Sequence, residues 1–298
     1  MKKLLLLLLL SQSLHSHEIA ITFDDLPSQH NNRTPQLFEM NQTIVNALIE
    51  FNAPATGFVN EDKLNARKDF EKNVEILKMW TDAGLPLGNH TYSHCAFSKT
   101  DLQDFQADFL KGAIVSKPLT ENAGLTYCYF RHPYLDAGRD AEKRLAFESF
   151  LKEEGYAVAP VTINTDDWVF NKQLLLHPEN ADIICEQYIN YVKAIITFCQ
   201  SASEEIFDRN IKHVLLVHVN VITARTIKQL LQLMQELDYK VIPLDQALQD
   251  PAYQEPDNYY GSKGPIWLYR WDYTRGIKVN WSNMPNPKDY LKEQTIQG

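Results

Sequence analysis

Glycine is scarce in this chain, at 11 of 298 residues, and its 14 prolines follow no period. That composition excludes collagen-like and low-complexity architectures. No unit of about 20–50 residues repeats along the chain. Basic residues are outnumbered, with 29 Lys and Arg against 38 Asp and Glu, for a net charge of −9 at pH 7. A nucleic-acid binder carries a basic patch, so no nucleic-acid partner is expected. Long apolar runs are missing beyond residue 10. No later segment is therefore expected to cross a bilayer, which takes about 20 apolar residues. Cysteines are few: Cys95, Cys128, Cys185 and Cys199. Four cysteines allow three pairings. Cys185 and Cys199 fall in one helical pattern, roughly 21 Å apart if the helix is continuous. A disulfide needs Cα atoms within about 7 Å, which discounts that pair. Cys95 with Cys128 is the pairing expected, because both flank motifs that converge; free buried thiols are the alternative.

What is present begins at the N-terminus. Met1-Lys2-Lys3 is followed by seven leucines, Leu4 to Leu10, and then by Ser11-Gln12-Ser13-Leu14-His15-Ser16. Two cations, a short apolar run and small polar residues read as a secretory signal peptide over 1–16, cleaved after Ser13 or Ser16. A retained anchor is the alternative. Loss of Lys2 and Lys3 takes the net charge from −9 to −11. A secreted or periplasmic location follows, with no stable membrane span after cleavage.

The chain is 44% hydrophobic, enough for a substantial core. From 17 to 250, strand and helix patterns alternate. Strands are expected at 18–23, 55–59, 125–130, 156–163, 214–219 and 240–242, with a short apolar segment at 85–88. Helices are expected at 35–51, 68–83, from 100, 137–154, 180–200 and 223–237. This order predicts a parallel sheet with helices outside it. The number of units suits a closed or nearly closed barrel, whose chemistry would sit at the C-terminal strand ends. Residues 251–298 change character, with Tyr253, Tyr259, Tyr260, Trp267, Tyr269, Trp271, Tyr273 and Trp281 and no long helix. This extension is expected to pack on the barrel as a cover. The functional alternative is an aromatic surface that stacks on sugar rings.

Unusual polar residues follow the strand ends. His90-Thr91-Tyr92-Ser93-His94 puts two imidazoles at i and i+4, on one face if helical, and such a pair suits a divalent metal. Asp24-Asp25 follows a buried strand, where paired acids are costly unless a cation or hydrogen bonds compensate; a helix N-cap is the plainer reading. One carboxylate with two histidines leaves a ligand position open for water, and the second carboxylate could take that water's proton. Arg131, in Arg131-His132-Pro133-Tyr134, can hold a carboxylate by two parallel hydrogen bonds and keep Asp24 ionised; an ordinary surface Arg is the alternative. Asp167, in Asp166-Asp167-Trp168, can fix the tautomer of His218, in Leu216-Val217-His218, and raise its basicity.

This ordered set resembles the five motifs of the polysaccharide deacetylases, the NodB-homology enzymes of carbohydrate esterase family 4, over residues 19 to about 245. The resemblance implies a distorted (β/α) barrel and metal-dependent hydrolysis of N-acetyl groups on an acetylated glycan. It implies Asp25, His90 and His94 as metal ligands, Asp24 as general base and Arg131 as its tether. It also implies the Tyr134 N–H as oxyanion donor, His218 as general acid, Asp167 as its orienting partner, and Trp168 and Leu216 as walls of the acetyl pocket. The metal would be zinc, with cobalt or nickel also fitting. Three positions depart from the family pattern: Leu26 and Leu135 where glycine is usual, and Asn164 where the fourth motif often has Asp. The other functional readings are an acetyl-ester or other non-peptide C–N hydrolase on the same barrel, or a catalytically weak glycan-binding wall protein.

Overall fold

Ten residues, His17–Leu26, form the strand on which the fold is built, here called β1. The computed structural model describes residues 17–29, 34–261 and 264–291. The signal peptide expected over 1–16 lies outside them, as does the end of the C-terminal extension. From Ile19 to Leu26 every residue of β1 is buried. A strand covered on both faces needs a continuous apolar run rather than alternation, and Ile19-Ala20-Ile21-Thr22-Phe23 supplies one.

In chain order the elements are α1 (Thr34–Glu50), β2 (Ala55–Val59), α2 (Phe70–Asp82), β3 (Leu87–Asn89), α3 (Leu102–Lys111), α4 (Ser116–Asn122), β4 (Tyr129–Phe130), α5 (Ala141–Glu153), β5 (Ala157–Val158), β6 (Ile163–Asn164), α6 (Asp167–Leu176), α7 (Ala181–Phe207), β7 (His213–His218), α8 (Val221–Glu236), β8 (Tyr239–Val241), α9 (Leu244–Ala247), α10 (Trp267–Arg275) and α11 (Pro287–Tyr290). All strand pairs are parallel, in the order β5-β4-β3-β2-β1-β7-β6, with β8 paired to the start of β1. Helices close the outside, as in α1, where Leu37, Met40, Ile44, Val45 and Leu48 are buried at helical spacing. The fold is of the α/β barrel type that the sequence predicts, a parallel sheet curled into a half-barrel with helices around it. No helix among the described residues is long and apolar enough to cross a membrane.

The strand expected at 156–163 is two strands. β5 pairs with β4 at one edge of the sheet and β6 with β7 at the other. Four residues, 159–162, carry the chain from edge to edge, and Pro160 among them has no N–H for a ladder. The Trp267 N–H donates to Val161 O at 2.7 Å, so the C-terminal extension reaches this seam. The rings of Trp267 and Trp271 and the side chain of Leu268 are buried, while Tyr260 and Tyr273 are exposed. The short helices α4, α6, α9, α10 and α11 were not anticipated from the sequence. The four cysteines are free thiols, so the Cys95–Cys128 pairing is corrected. Cys185 and Cys199 share α7, as the spacing argument required.

Candidate active site

Because the strands run parallel, their C-terminal ends lie on one face, and each expected side chain sits there. β1 carries Asp24 and Asp25, and Asp24 is in register with His218 on β7. His90 follows β3, Arg131 follows β4, and Asp167 opens α6 just after β6. A cavity of about 480 Å³ is lined by Asp24, Asp25, His90, His94, Tyr134, Trp168, Leu216 and His218, together with Gln29, Leu135, Asn164, Asp166 and Gly264.

One ligand atom each from Asp25, His90 and His94 lie within 4.8 Å of one another. The histidines reach this position by a route the sequence reading had wrong. Residues 90–94 are a loop, not a helix, and Thr91 and His94 have φ of 60° and 56°. The loop is gripped from beneath. Asn60 Nδ2 donates to the carbonyls of His90 and Thr91 at 2.6 and 3.2 Å. The Thr91 N–H donates to Asn89 Oδ1, and the Ser93 N–H to Asp108 Oδ2. A β-carbon on Gly112, at the end of α3, would stand 2.6 Å from Tyr92 N, so the helix end lies directly against the loop.

His90 Nδ1 lies 2.8 Å from the Arg131 carbonyl. A carbonyl only accepts, so this nitrogen carries the proton and Nε2 presents a lone pair. That lone pair faces Asp25 Oδ1 at 3.9 Å and Asp24 Oδ2 at 3.7 Å, and His94 Nε2 faces Asp25 Oδ1 at 3.4 Å. Burial holds the His90 and His94 pKa values down at about 3, so both rings are neutral at pH 7. Burial is the largest single influence on Asp25 and works against its charge, but the Lys63 ammonium and the surrounding imidazoles together outweigh it and hold the carboxyl well below its ordinary range. Two bare imidazole nitrogens and an ionised oxygen converging on one point are the donor set of a zinc-type cation, so the residues fit such a group.

Asp24 is buried and accepts from Arg131 Nη1 at 2.9 Å through Oδ1. The two parallel bonds expected of Arg131 are not formed. Its Nη1 also donates to Thr22 Oγ1 and its Nε to Ala159 O, while the guanidinium lies 4.3 Å from the Phe58 ring centroid. Nor does Arg131 settle the charge on Asp24, because burial outweighs it and raises the carboxyl above its ordinary value. A carboxylate with raised proton affinity suits a base.

Across the cavity, His218 Nδ1 lies 2.7 Å from Asp167 Oδ1, leaving Nε2 for the cavity. Asp167 Oδ2 accepts from the His218 N–H, Asn220 Nδ2 and Thr223 Oγ1. Burial disfavours the imidazolium, but the carboxylates of Asp167, Asp25 and Asp24 outweigh it and raise the ring pKa to about 9. The surroundings thus raise the proton affinity of both Asp24 and His218, by burial at Asp24 and by neighbouring carboxylates at His218. Trp168 is exposed at the rim and Leu216 is buried in the wall. Tyr134 has φ 59° and ψ 15°, Leu135 has φ 53°, and the Tyr134 ring stands edge-on to His94 with centroids 4.4 Å apart. Left-handed backbone at a non-glycine residue costs on the order of 1–2 kcal/mol.

Two site residues were missed. Lys63 Nζ lies 2.9 Å from Asp25 Oδ1, the oxygen both histidines face. Asp166 lines the cavity, accepting from Tyr191 Oη at 2.7 Å and Asn164 Nδ2 at 3.0 Å. Lys63 sits in a charged 3-10 helix, Glu61–Lys68, after β2 with no motif around it. Asp166 was visible as the neighbour of Asp167, but nothing in the sequence separates their roles.

The sequence profile of the polysaccharide deacetylases matches residues 11–148, a stretch holding Asp24, Asp25, both histidines, Arg131 and Tyr134. The match takes in 138 of the 298 residues, so the chain is similar to this family over just under half of its length. Among its relatives is a peptidoglycan-N-acetylglucosamine deacetylase of Bacillus cereus, 27% identical over 151 residues. That match covers 51% of this chain and 46% of the relative, so the chain spans about half of that protein. Solved structures share the family fold at low identity. One, described as a peptidoglycan N-acetylglucosamine deacetylase with a bound naphthyl N-hydroxybenzamide, has a TM-score of 0.52 at 20% identity, covering 78% of this chain and 89% of its own. A peptidoglycan deacetylase of Bacillus subtilis gives 0.50 at 18%, with the same coverage. A carbohydrate esterase family 4 pseudoenzyme of Bacillus anthracis gives 0.52 at 15%, covering 79% of this chain and 66% of its own.

Proposed function

We propose that this chain is a member of the polysaccharide deacetylase family, a metal-dependent amide hydrolase that removes N-acetyl groups from an amino-sugar glycan of peptidoglycan or chitin type, outside the cytoplasm. The observation that carries the reading is a meeting in one cavity. Three ligand atoms lie between a carboxylate whose proton affinity is raised and an imidazole held protonated. A structural ion site needs neither of the flanking groups; hydrolysis of an amide needs both.

Asp25, His90 and His94 would hold a divalent cation, which when bound polarises the acetyl carbonyl and acidifies its water. Asp24 receives the proton of the attacking water on Oδ2, since Oδ1 is occupied by Arg131. The Tyr134 N–H donates to the carbonyl oxygen as it gains charge. His218 gives the proton on Nε2 to the departing nitrogen, and Asp167 stabilises the ring before and after. Trp168 and Leu216 bound the space for the acetyl methyl.

A fold shared with a pseudoenzyme does not carry activity by itself. The test is acetate release by purified protein from N-acetylglucosamine oligomers, peptidoglycan fragments and acetylxylan, with zinc and with chelator. Chelator-sensitive release from the first two supports the reading. Release from acetylxylan alone would move the chemistry to an ester, and no release under any metal would overturn it.

A further inference from the structure

The Tyr134–Leu135 turn holds two consecutive non-glycine residues in the left-handed region and forms part of the cavity wall. What keeps it there comes from both sides. From the barrel, the Leu135 N–H donates to His132 O, and Asp136 accepts from the N–H groups of Ser98 and Gly138. From outside, the C-terminal extension closes on it. Arg270 is 1% exposed, and its Nη2 donates to the Leu135 carbonyl at 2.6 Å. The rest of that guanidinium is fixed: Nε donates to Pro265 O, Nη1 to Asp257, and the plane lies 4.2 Å from the Trp267 ring centroid. Asp257 is in turn tied to Arg144 on α5 at 2.8 Å. Gly264 sits against the same turn. A β-carbon there would fall 1.9 Å from Tyr134 O and 2.6 Å from Leu135 C, both backbone atoms that cannot swing aside. No left-handed φ demands glycine at 264, so the requirement is one of space.

We infer that the segment from Gly264 to Arg270 is a positioning element for the reaction, with Arg270 its positioning residue. It clamps the Tyr134–Leu135 turn in a conformation the turn's own residues disfavour. This rests on the reading above in which the Tyr134 N–H meets the acetyl oxygen. A tight surface cover would be satisfied by apolar contact alone. A buried guanidinium aimed at one carbonyl of a strained turn, beside a glycine with no room for a methyl, is a fixture for that turn.

The test uses the full chain with Arg270→Ala and Gly264→Ala. Gly264→Ala keeps the Arg270 side chain with its bonds to Asp257 and Pro265, and guards against Arg270→Ala simply failing to fold. Each variant is expected to lose about tenfold or more in kcat with KM within about twofold, and to exchange amide hydrogen faster over 132–138. Adding Tyr134→Asn to Arg270→Ala should restore kcat several-fold without restoring the thermal midpoint, because asparagine accepts the left-handed region unaided. Normal kcat and unchanged exchange in both single variants, with an active wild type, would overturn the clamp. So would a kcat loss that Tyr134→Asn does not relieve. An inactive wild type would sink the amide-hydrolase reading instead, and the exchange measurement would still decide whether the extension holds the turn.

Discussion

Asp167→Asn isolates the group that decides the proton on His218. In the native protein the ring pKa is raised to about 9 from an ordinary 6.5, with Asp167 the strongest of the forces that overcome burial. That difference corresponds to about 3 kcal/mol in favour of the imidazolium. Because the folded-state pKa is the higher one, the stabilisation is complete below pH 6.5 and drains away as pH rises through 9. Asparagine removes the carboxylate but leaves the burial, which acts to lower the pKa, so the ring should titrate below 6.5 in the variant. At pH 7.5 the charged fraction then falls from nearly all to under about a tenth. Losing a positioned proton donor is worth roughly 10²–10⁴-fold, so kcat for acetate release should fall by at least about 10² at that pH. Ring-proton NMR on metal-free wild type and variant reads the two pKa values directly. In the zinc-loaded enzyme a cation beside Asp25 lowers the native value, so the alkaline limb of the rate profile should lie below 9 and move several pH units lower in the variant. Titration of native His218 at or below 6.5, or an alkaline limb that stays put in Asp167→Asn, would refute the assignment.

Other residues give sharper separations of role. His90→Ala and His94→Ala should each reduce bound zinc, measured by elemental analysis, from one equivalent to a small fraction; an undiminished content removes the ligand set. Asp24→Asn should cut kcat by about 10² or more while zinc content stays normal, because Asp24 is assigned to the proton and not to the ion. Lys63→Met should tighten zinc binding by roughly tenfold. Two unit charges about 4 Å apart interact by about 4 kcal/mol at a surface-like dielectric, and a flexible ammonium avoids part of that. Calorimetry showing unchanged or weaker binding would make Lys63 a supporting partner of Asp25 rather than a competitor. Arg131→Met strands a buried carboxylate and should cost about 3–5 kcal/mol in a denaturant titration at neutral pH.

The sequence was most legible where physics is local. The apolar run of β1 and the acids directly after it announced a buried strand with a functional end, and the same signal marked His218. The β/α alternation carried the barrel. Pairwise inferences fared worse. The His90–His94 spacing was read through helix geometry, yet the pair converges through two left-handed residues in a loop, a conformation that propensity does not anticipate for Thr or His. The run 156–163 looked like one strand because its composition is uniform; only the tertiary gap between two sheet edges splits it. Lys63 escaped because ion pairs between distant elements leave no trace in spacing. The single bond from Arg131 to Asp24, with its other hydrogen bonds going to Thr22 and Ala159, is likewise set by packing around Phe58 rather than by motif.

Among the described residues, ten non-glycine positions have left-handed φ, and six of them are Asp25, Thr91, His94, Tyr134, Leu135 and Asp166. Each belongs to the cavity wall or to the histidine loop, while turns elsewhere account for the rest. Such residues persist only where surrounding structure over-determines them. Here the determinants are identifiable: Asn60, Asn89 and Asp108 beneath the histidine loop, Tyr191 and Asn164 on Asp166, and Arg270 and Gly264 behind Tyr134. None of these touches the space where substrate would lie except Asn164 and Gly264. The site is therefore held by polar groups one layer back, and its tolerance to mutation should follow that layer. Replacing Asn60 with Ala, which frees the carbonyls of His90 and Thr91, should weaken zinc binding although Asn60 stands outside the cavity wall. A zinc affinity indifferent to Asn60 would mean that the strand ends alone suffice to aim the ligands.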